Sequence, residues 1–582
     1  MVTKKRNGTI NANEILLVFA VASTVYIALG SHNPFAVDGA FRPAVIYRAQ
    51  KPLLTGNEHL LYGLNIYYWG RLLSALGVTA ANAMQFIRMA QIMNSLAAAG
   101  SLALLYLLCR QIECSQIVAS EIVLAYGFSR AFFSHATNSA EPMVALFWAF
   151  LAVLLAVIAV TSRARLFYIL SGVLLALSMA TYQSMVLIGP AILILISEWP
   201  QGTGSPNNFR DRIRAVGLFL GGSATTVALI YGTAYYLDGT RGWAELFKRF
   251  FSVTGEQVYG GLSVTKIAAV PLGLSYALLK FLPPDCSGFR CLLKPENFLW
   301  LPLAIGSVLV TFLILGMFLH ALWLVAPALS ARDRLVLKCS LVGGLFNLAA
   351  LGYWMPTYDK LWLEPLACLF VAVAVIAKNL FSVCDISTDA MALRLAKGAS
   401  GFAIVIVCSS LATFLYEVRQ PQVEKGEAAE VAGLVSPGDL VVIDWEPTAL
   451  YYQYIWSSPD QVFNLPTQAT LHGKSTAELL AGRIRSTLGS DHKVFFLGIL
   501  DLSQSQWQEA VSTFHGPDFD ELSPYRKCAV IVRRFANRAT LRIVGKSTRD
   551  CATKAASVTE SAIAARFTST PKESSIKKGT IG

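Results

Sequence analysis

Apolar blocks, each near the length that crosses a bilayer, recur between residues 14 and 417 of this 582-residue chain. A helix needs about 20 mostly apolar residues to traverse roughly 30 Å of hydrocarbon. In that medium only a segment that bonds its backbone N–H and C=O groups internally is tolerated. The pattern therefore predicts a polytopic α-helical membrane protein with about eleven transmembrane helices. They fall at 14–31, 84–109, 115–133, 141–161, 166–181, 182–197, 215–237, 298–326, 335–353, 361–378 and 399–417. The residues are 54% hydrophobic and 14% charged, with a formal net charge of +12. In a soluble chain that charge would point to nucleic acid. Here Lys and Arg fall in short clusters between the blocks, so the charge reads as a topology signal and nucleic acid is excluded as a partner.

Basic residues of short loops stay on the cytoplasmic side. With Lys4-Lys5-Arg6 inside and the first helix an uncleaved anchor, the inner loops carry Arg110, Arg163 with Arg165, Arg210 with Arg212 and Arg214, Arg332 with Arg334 and Lys338, and Lys378 with Arg394 and Lys397. This assignment needs Thr181-Tyr182-Gln183 to be an outer hairpin between two short helices. It also makes 32–83 and 238–297 outer loops, with interfacial helices at 58–76, 243–251 and 263–282. The expected location is a bacterial inner membrane, N-terminus cytoplasmic.

After residue 419 the pattern changes. Short β-type runs at 439–444, 461–463, 493–497 and 528–532 alternate with helical patterns at 447–456, 476–488 and 504–514. Such alternation predicts an α/β domain over 420–540 with a mainly parallel sheet, outside the membrane after eleven crossings. Residues 541–582 read as a disordered tail rich in Ser, Thr, Lys and Ala. The ten cysteines form no zinc spacing, and Cys286 with Cys291 is a disulfide candidate in an oxidising compartment. No internal repeat, P-loop, GxSxG or post-strand GxGxxG occurs.

This topology gathers ionisable residues on the outer face: Asp38, Arg42, Arg48, Lys51, Glu58, His59, Arg88, Arg130, Glu141, Asp359, Lys360 and Glu364. Charges at helix ends either anchor a span or serve a site. Asp38, before Gly39, is either a turn former capping its own backbone or a general base. Glu141, before Pro142, is either a helix-terminal acid or a site residue. Arg42, Arg48 and Lys51 either bind a lipid phosphate or meet anionic headgroups. No cofactor is assigned; His59 and His135 beside carboxylates leave a divalent metal open.

Three stretches carry a resemblance: Phe35-Ala36-Val37-Asp38-Gly39, Ala136-Thr137-Asn138-Ser139-Ala140-Glu141-Pro142, and the run from Tyr353 through Met355-Pro356-Thr357-Tyr358-Asp359-Lys360 to Pro365. With the short fifth and sixth helices around Ala180-Thr181-Tyr182-Gln183, residues 10–420 resemble the GT-C class of integral-membrane glycosyltransferases. The likeness is strongest to the protein mannosyltransferase and aminoarabinose transferase branch. It implies transfer of a sugar from a polyprenyl-phosphate donor to a glycan, lipid or protein acceptor at the outer face, in contact with membrane lipids. Asp38 matches the first-loop catalytic acid, and Glu141 the second-loop acid that assists it or helps bind a metal. Arg42, Arg48, Arg130 and Lys360 are candidates for the donor phosphate, and Tyr182 and Asp359 lie in the matching stretches. Many members pair two acids in the first loop. Here Arg42 lies where a second acid would be, which leaves Asp38 the one base candidate and weakens the footing for a metal. The rival readings are a multi-pass transporter, which would show repeat symmetry and polar groups at mid-membrane depth, a lipid-linked polysaccharide polymerase or ligase, and a non-catalytic scaffold displaying the 420–540 domain.

Overall fold

The computed structural model describes residues 11–30, 37–52, 59–199, 209–237, 242, 261–279, 295–356, 358–383, 390–419, 423–444, 447–472, 475–510, 519–535 and 540–544. It divides into two compact units, Met1–Gln420 and Pro421–Gly582.

The first unit is helical: α1 (Ala12–Gly30), α2 (Val37–Ala49), α3 (Leu60–Ala75), α4 (Ala83–Gln111), α5 (Gln116–Gly127), α6 (Arg130–Ala136), α7 (Pro142–Ser162), α8 (Arg165–Thr181), α9 (Gly189–Glu198), α10 (Phe209–Leu237), α11 (Val264–Leu278), α12 (Leu301–Val325), α13 (Ala331–Tyr353), α14 (Leu363–Val383) and α15 (Ala390–Arg419). Short 3-10 segments, Gln183–Ile188 and Asp359–Trp362, lead into α9 and α14. Among the described residues seven helices are long and apolar enough to cross a membrane, namely α1, α4, α7, α10, α12, α13 and α14, or eight with α5 and α6 counted as one bent span. This is a multi-pass membrane protein.

Local chemistry sets the helix starts. Asn82, Ser115, Ser263 and Ser330 each accept a backbone N–H from the first turn that follows, capping α4, α5, α11 and α13. The span expected at 115–133 is bent by 71° between α5 and α6. A bend frees backbone carbonyls, which must find other donors at this depth. The Gly127 carbonyl accepts from the Tyr26 hydroxyl at 2.8 Å, and the Phe128 carbonyl accepts from Ser410.

Helices α7, α8 and α10 pack through small residues, as expected where apolar burial gives no preference for protein over lipid. Ser171 and Ser178 of α8 donate to the Ala152 and Ala145 carbonyls of α7 at 2.8 and 2.7 Å. A Cβ on Gly172 would lie 2.1 Å from the Phe219 carbonyl oxygen, and one on Gly222 would lie 2.6 Å from that of Ile169. Both contacts are backbone, so the neighbour cannot rotate away. Gly172→Ala is expected to cost about 1–3 kcal/mol by overpacking. Thermal unfolding in detergent checks this: an unchanged midpoint would show that α8 and α10 can separate without loss.

The stretch 32–43, read as a loop, is helical from Val37 onward, so Asp38 and Gly39 lie in the first turn of α2 rather than in a β-turn. The expected interfacial helix at 263–282 is α11. It lies by the C-terminal end of α13, where Lys266 Nζ donates to the Tyr353 carbonyl at 3.0 Å. A Cβ on Gly273 would meet the Pro356 oxygen at 2.0 Å, so a glycine is required there. The expected helix at 243–251 and the Cys286–Cys291 pair lie outside the described residues.

The second unit holds a five-stranded sheet ordered β2-β1-β3-β5-β4, from β1 (Leu440–Ile443), β2 (Val462–Asn464), β3 (Val494–Leu497), β4 (Val530–Arg534) and β5 (Thr540–Val544). Alternation along β1 and β3 feeds two cores. Leu440, Val442, Val494 and Phe496 pack with Leu480 and Ile484 on one face; Val441, Ile443, Phe495 and Leu497 pack with Ala428, Val431 and Tyr452 on the other. Two expectations need correction. The sheet is mixed rather than mainly parallel: β1 pairs in parallel with β2 and β3, but β5 pairs antiparallel with both β3 and β4. The unit also extends past 540, because residues 541–544, read as the start of the tail, belong to the strand Thr540–Val544, registered Val544 to Val494. Five residues separate β4 from β5, a hairpin spacing, and a hairpin return is antiparallel by construction. Residues 545–582 lie outside the described residues.

Candidate active site

The segment from Thr137 to Glu141, between α6 and α7, is buried along its length. Buried loop backbone must be paired. One face of α4 supplies the partners through residues spaced three and four apart. Gln91 donates to the Thr137 carbonyl at 3.4 Å, Asn94 to those of Asn138 (3.2 Å) and Ala140, and Ser95 to that of Ala136 at 2.9 Å. From α3, the buried Tyr62 hydroxyl donates to the Ser139 carbonyl. The loop is thus a fixed platform, and it ends in Glu141.

Glu141 is fully buried at the N-terminus of α7, followed by Pro142 at the first helical turn. Its side chain caps no backbone N–H. It is held instead by side chains from three other places in the chain: Arg42 Nη1 lies 3.2 Å from Oε2, and Lys360 Nζ and His59 Nε2 lie 3.3 and 3.4 Å from Oε1. Burial alone would raise this carboxyl; His59, Lys360 and Arg42 outweigh it and hold the group well below the usual carboxylate range. Tyr182 forms the wall. Its ring stacks on His59 with centroids 5.5 Å apart and planes 4° from parallel, and Lys360 Nζ stands 5.7 Å from its centroid and 4.8 Å from that of Tyr358.

The adjacent residue, Asp359, turns to a second cluster. Its carboxylate lies 3.3 Å from His135 Nε2, accepts from the Ser134 hydroxyl at 3.3 Å and is 3.8 Å from Arg130 Nη2. Arg130 also sits over the Tyr276 ring of α11, 5.5 Å from its centroid. The Asp359-Lys360 dipeptide therefore joins two ion clusters, giving its acid to one and its base to the other. Glu364, buried on the next turn, accepts from Ser184 at 2.8 Å and ties α14 to the segment that follows Tyr182.

Of the sequence candidates, Glu141, Arg42, Lys360 and Tyr182 meet directly, and Arg130 and Asp359 meet beside them. Arg48 is in the last turn of α2, six residues beyond Arg42 and on another side of that helix. The backbone of Asp38 is one turn before Arg42 in α2; its side chain lies outside the described residues. Sequence reasoning missed Gln91, Asn94, Ser95 and Ser184; Tyr62, which the sequence offers as a sugar-stacking or belt aromatic, instead holds the Ser139 carbonyl. The α4 set left a signal, a polar stripe 88, 91, 94, 95 on one face of an otherwise apolar span. Among the described residues no three His, Cys, Asp or Glu side chains gather to hold a metal ion. Both Glu141 oxygens already face Arg42, His59 and Lys360, so this donor set does not fit a divalent ion.

A multi-helix membrane bundle with a buried acid held by bases near one end of its spans defines a class of integral-membrane proteins rather than one activity. No protein-family model matches the sequence, and no curated protein sequence does. Solved structures do. ArnT from Cupriavidus metallidurans bound to undecaprenyl phosphate is 12% identical, with 92% of this chain and 98% of that chain covered and a TM-score of 0.53. The same protein in its apo state is 11% identical over the same shares, with a TM-score of 0.55. The S. cerevisiae protein O-mannosyltransferase Pmt1-Pmt2 complex bound to the sugar donor covers 44% of this chain at 11% identity and a TM-score of 0.31, and nothing rests on it. The chain has the ArnT fold over nearly its whole length, as the GT-C resemblance implied.

Proposed function

We propose that this protein transfers a sugar from a polyprenyl-phosphate-linked donor to an acceptor hydroxyl of a glycan, lipid or protein. The observation that carries the reading is the convergence of Arg42 and Lys360, from α2 and the turn before α14, on one buried carboxylate in a fold shared with a protein that binds undecaprenyl phosphate. Two cations brought so close by an internal anion are arranged to receive the phosphate of a lipid donor.

In this reading the bond from the sugar anomeric carbon to the donor phosphate oxygen breaks as the acceptor oxygen bonds to that carbon. The acceptor proton passes to Asp38, and the polyprenyl phosphate leaves with its charge met by Arg42 and Lys360. Phosphate is a good leaving group, so the chain's tasks are alignment, charge neutralisation and the acceptance of one proton. In this reading Arg130 and Asp359, the latter adjacent to Lys360, meet the sugar. Arg48, farther along α2, would meet headgroups.

The topology belongs to the same proposal. Eleven crossings result when α8, the 183–198 segment and α15, all shorter apolar helices, are counted with the bent pair and the seven long spans, while α11 lies at the interface. The basic loops then set the N-terminus inside and the Glu141 site and second unit outside. Cys528 of the second unit is disulfide-bonded, which agrees with an oxidising compartment.

The test is binding of undecaprenyl phosphate to the purified protein, with mass analysis of lipid-linked sugars and surface glycans in cells with and without it. Lys360→Ala is expected to weaken binding about 10- to 100-fold, the worth of one charge-assisted hydrogen bond. An unchanged affinity together with an unchanged glycan profile would remove the reading.

A further inference from the structure

Helices α4, α7, α9, α13 and α14 enclose an apolar crevice, a cavity of about 120 Å³ lined by residues such as Leu105, Phe150, Ile192, Leu195, Val336 and Val371. Its polar lining residues include Arg332, whose guanidinium stands 5.1 Å from the Trp199 ring centroid; Trp199 is the residue that follows α9. This is the opposite end of α13 from the Glu141 site. Arg332 is the second residue of that 23-residue helix, and the turn bearing Lys360 follows its last. At about 1.5 Å per residue the two lie roughly 30 Å apart. A phosphate on Arg42 and Lys360 cannot also reach Arg332.

Arg332 has capacity to spare. It donates to the Gln111 carbonyl at 2.7 Å, is 3.8 Å from the half-exposed Glu113, and its Nε is buried without a hydrogen-bond partner. The other acids around it are engaged more closely elsewhere, Asp333 by Lys378 at 2.9 Å and Glu198 by Lys338 at 2.6 Å. An apolar slot between membrane helices with an under-used guanidinium at one end matches a lipid whose chain is apolar and whose head is anionic.

We infer that this crevice holds one acyl chain of an anionic phospholipid from the leaflet opposite the Glu141 site, its headgroup phosphate on Arg332. The lipid is a second one, distinct from the proposed donor, and the inference stands whether or not the sugar-transfer reading does.

The test uses the full chain in phosphatidylcholine nanodiscs containing a trace of phosphatidylglycerol with a diazirine in mid-chain, photolysed and mapped by peptide mass spectrometry. Adducts are expected on the crevice faces of α9 and α13, and unlabelled phosphatidylglycerol should suppress them at least tenfold better than phosphatidylcholine. Arg332→Gln should reduce labelling about fivefold or more, and Ala191→Phe, which fills the slot, should abolish it. If Ala191→Phe does not fold, Arg332→Gln decides. Labelling that ignores Arg332→Gln, equal suppression by phosphatidylcholine, or stronger suppression by undecaprenyl phosphate would each overturn the assignment; the last would give the crevice to the donor lipid.

Discussion

Glu141→Gln is expected to lower the unfolding free energy of the detergent-solubilised protein by about 3–5 kcal/mol, the usual cost of removing one partner from a buried ion cluster. The amide keeps the shape of the side chain but not its charge, so Arg42 and Lys360 remain in a buried setting without their anion. Glu141→Asp keeps the charge and should recover part of the loss. The acid limb provides a second check. The folded-state pKa of Glu141 is depressed, so its contribution is complete above the ordinary carboxylate range. It declines as the pH falls below about 5, where the unfolded chain takes up protons, and is gone only below the folded-state value. The gap between wild type and Glu141→Gln should therefore narrow as the pH falls from about 5 toward 3.5. Equal stability of the two proteins at pH 7 would mean that the cluster contributes nothing net.

Asp38→Asn is expected to reduce sugar transfer by about 10²- to 10⁴-fold, the range for losing a general base. Thermal unfolding and undecaprenyl phosphate affinity should stay at wild-type values, because the proposed role is to take the acceptor proton. The position supports this: the backbone of Asp38 lies one helical turn before Arg42 on α2, so the proposed base and a proposed phosphate ligand share one helix. Transfer at the wild-type rate would eliminate the base. A parallel fall in rate, affinity and unfolding temperature would make Asp38 a structural acid instead.

How much of this could be read in advance differs by feature. Each of the eleven segments expected as spans is helical among the described residues, because a span is a local property: twenty apolar residues admit few alternatives at bilayer depth. The bend between α5 and α6 was not visible, because it depends on Tyr26 and Ser410, more than a hundred residues away, to satisfy the freed carbonyls. The antiparallel half of the second unit was missed through β5, a five-residue strand ending a polar region, whose pairing with β3 is a long-range fact.

The site divides in the same way. The acids and bases at the helix ends were legible one by one, because charged residues stand out against apolar blocks. Glu141 reads from the sequence as either a helix-terminal acid or a site residue, because Pro142 follows it and a helix start is where an acid sits comfortably without further purpose.

By itself the sequence determined that this chain spans a membrane many times, that its charges collect at helix ends, and that Asp38, Glu141 and the Asp359-Lys360 pair are the residues to watch. Hydrophobic block length and charge placement are written along the chain, and they need no partner to act. Only the tertiary structure decided who meets whom: that Glu141 caps nothing and instead binds Arg42, His59 and Lys360, and that Asp359 and Lys360 face different clusters. Such pairings join residues 219 and 224 positions apart. They exist because burial makes an unpaired charge too costly, and that cost arises only once the helices have closed around it.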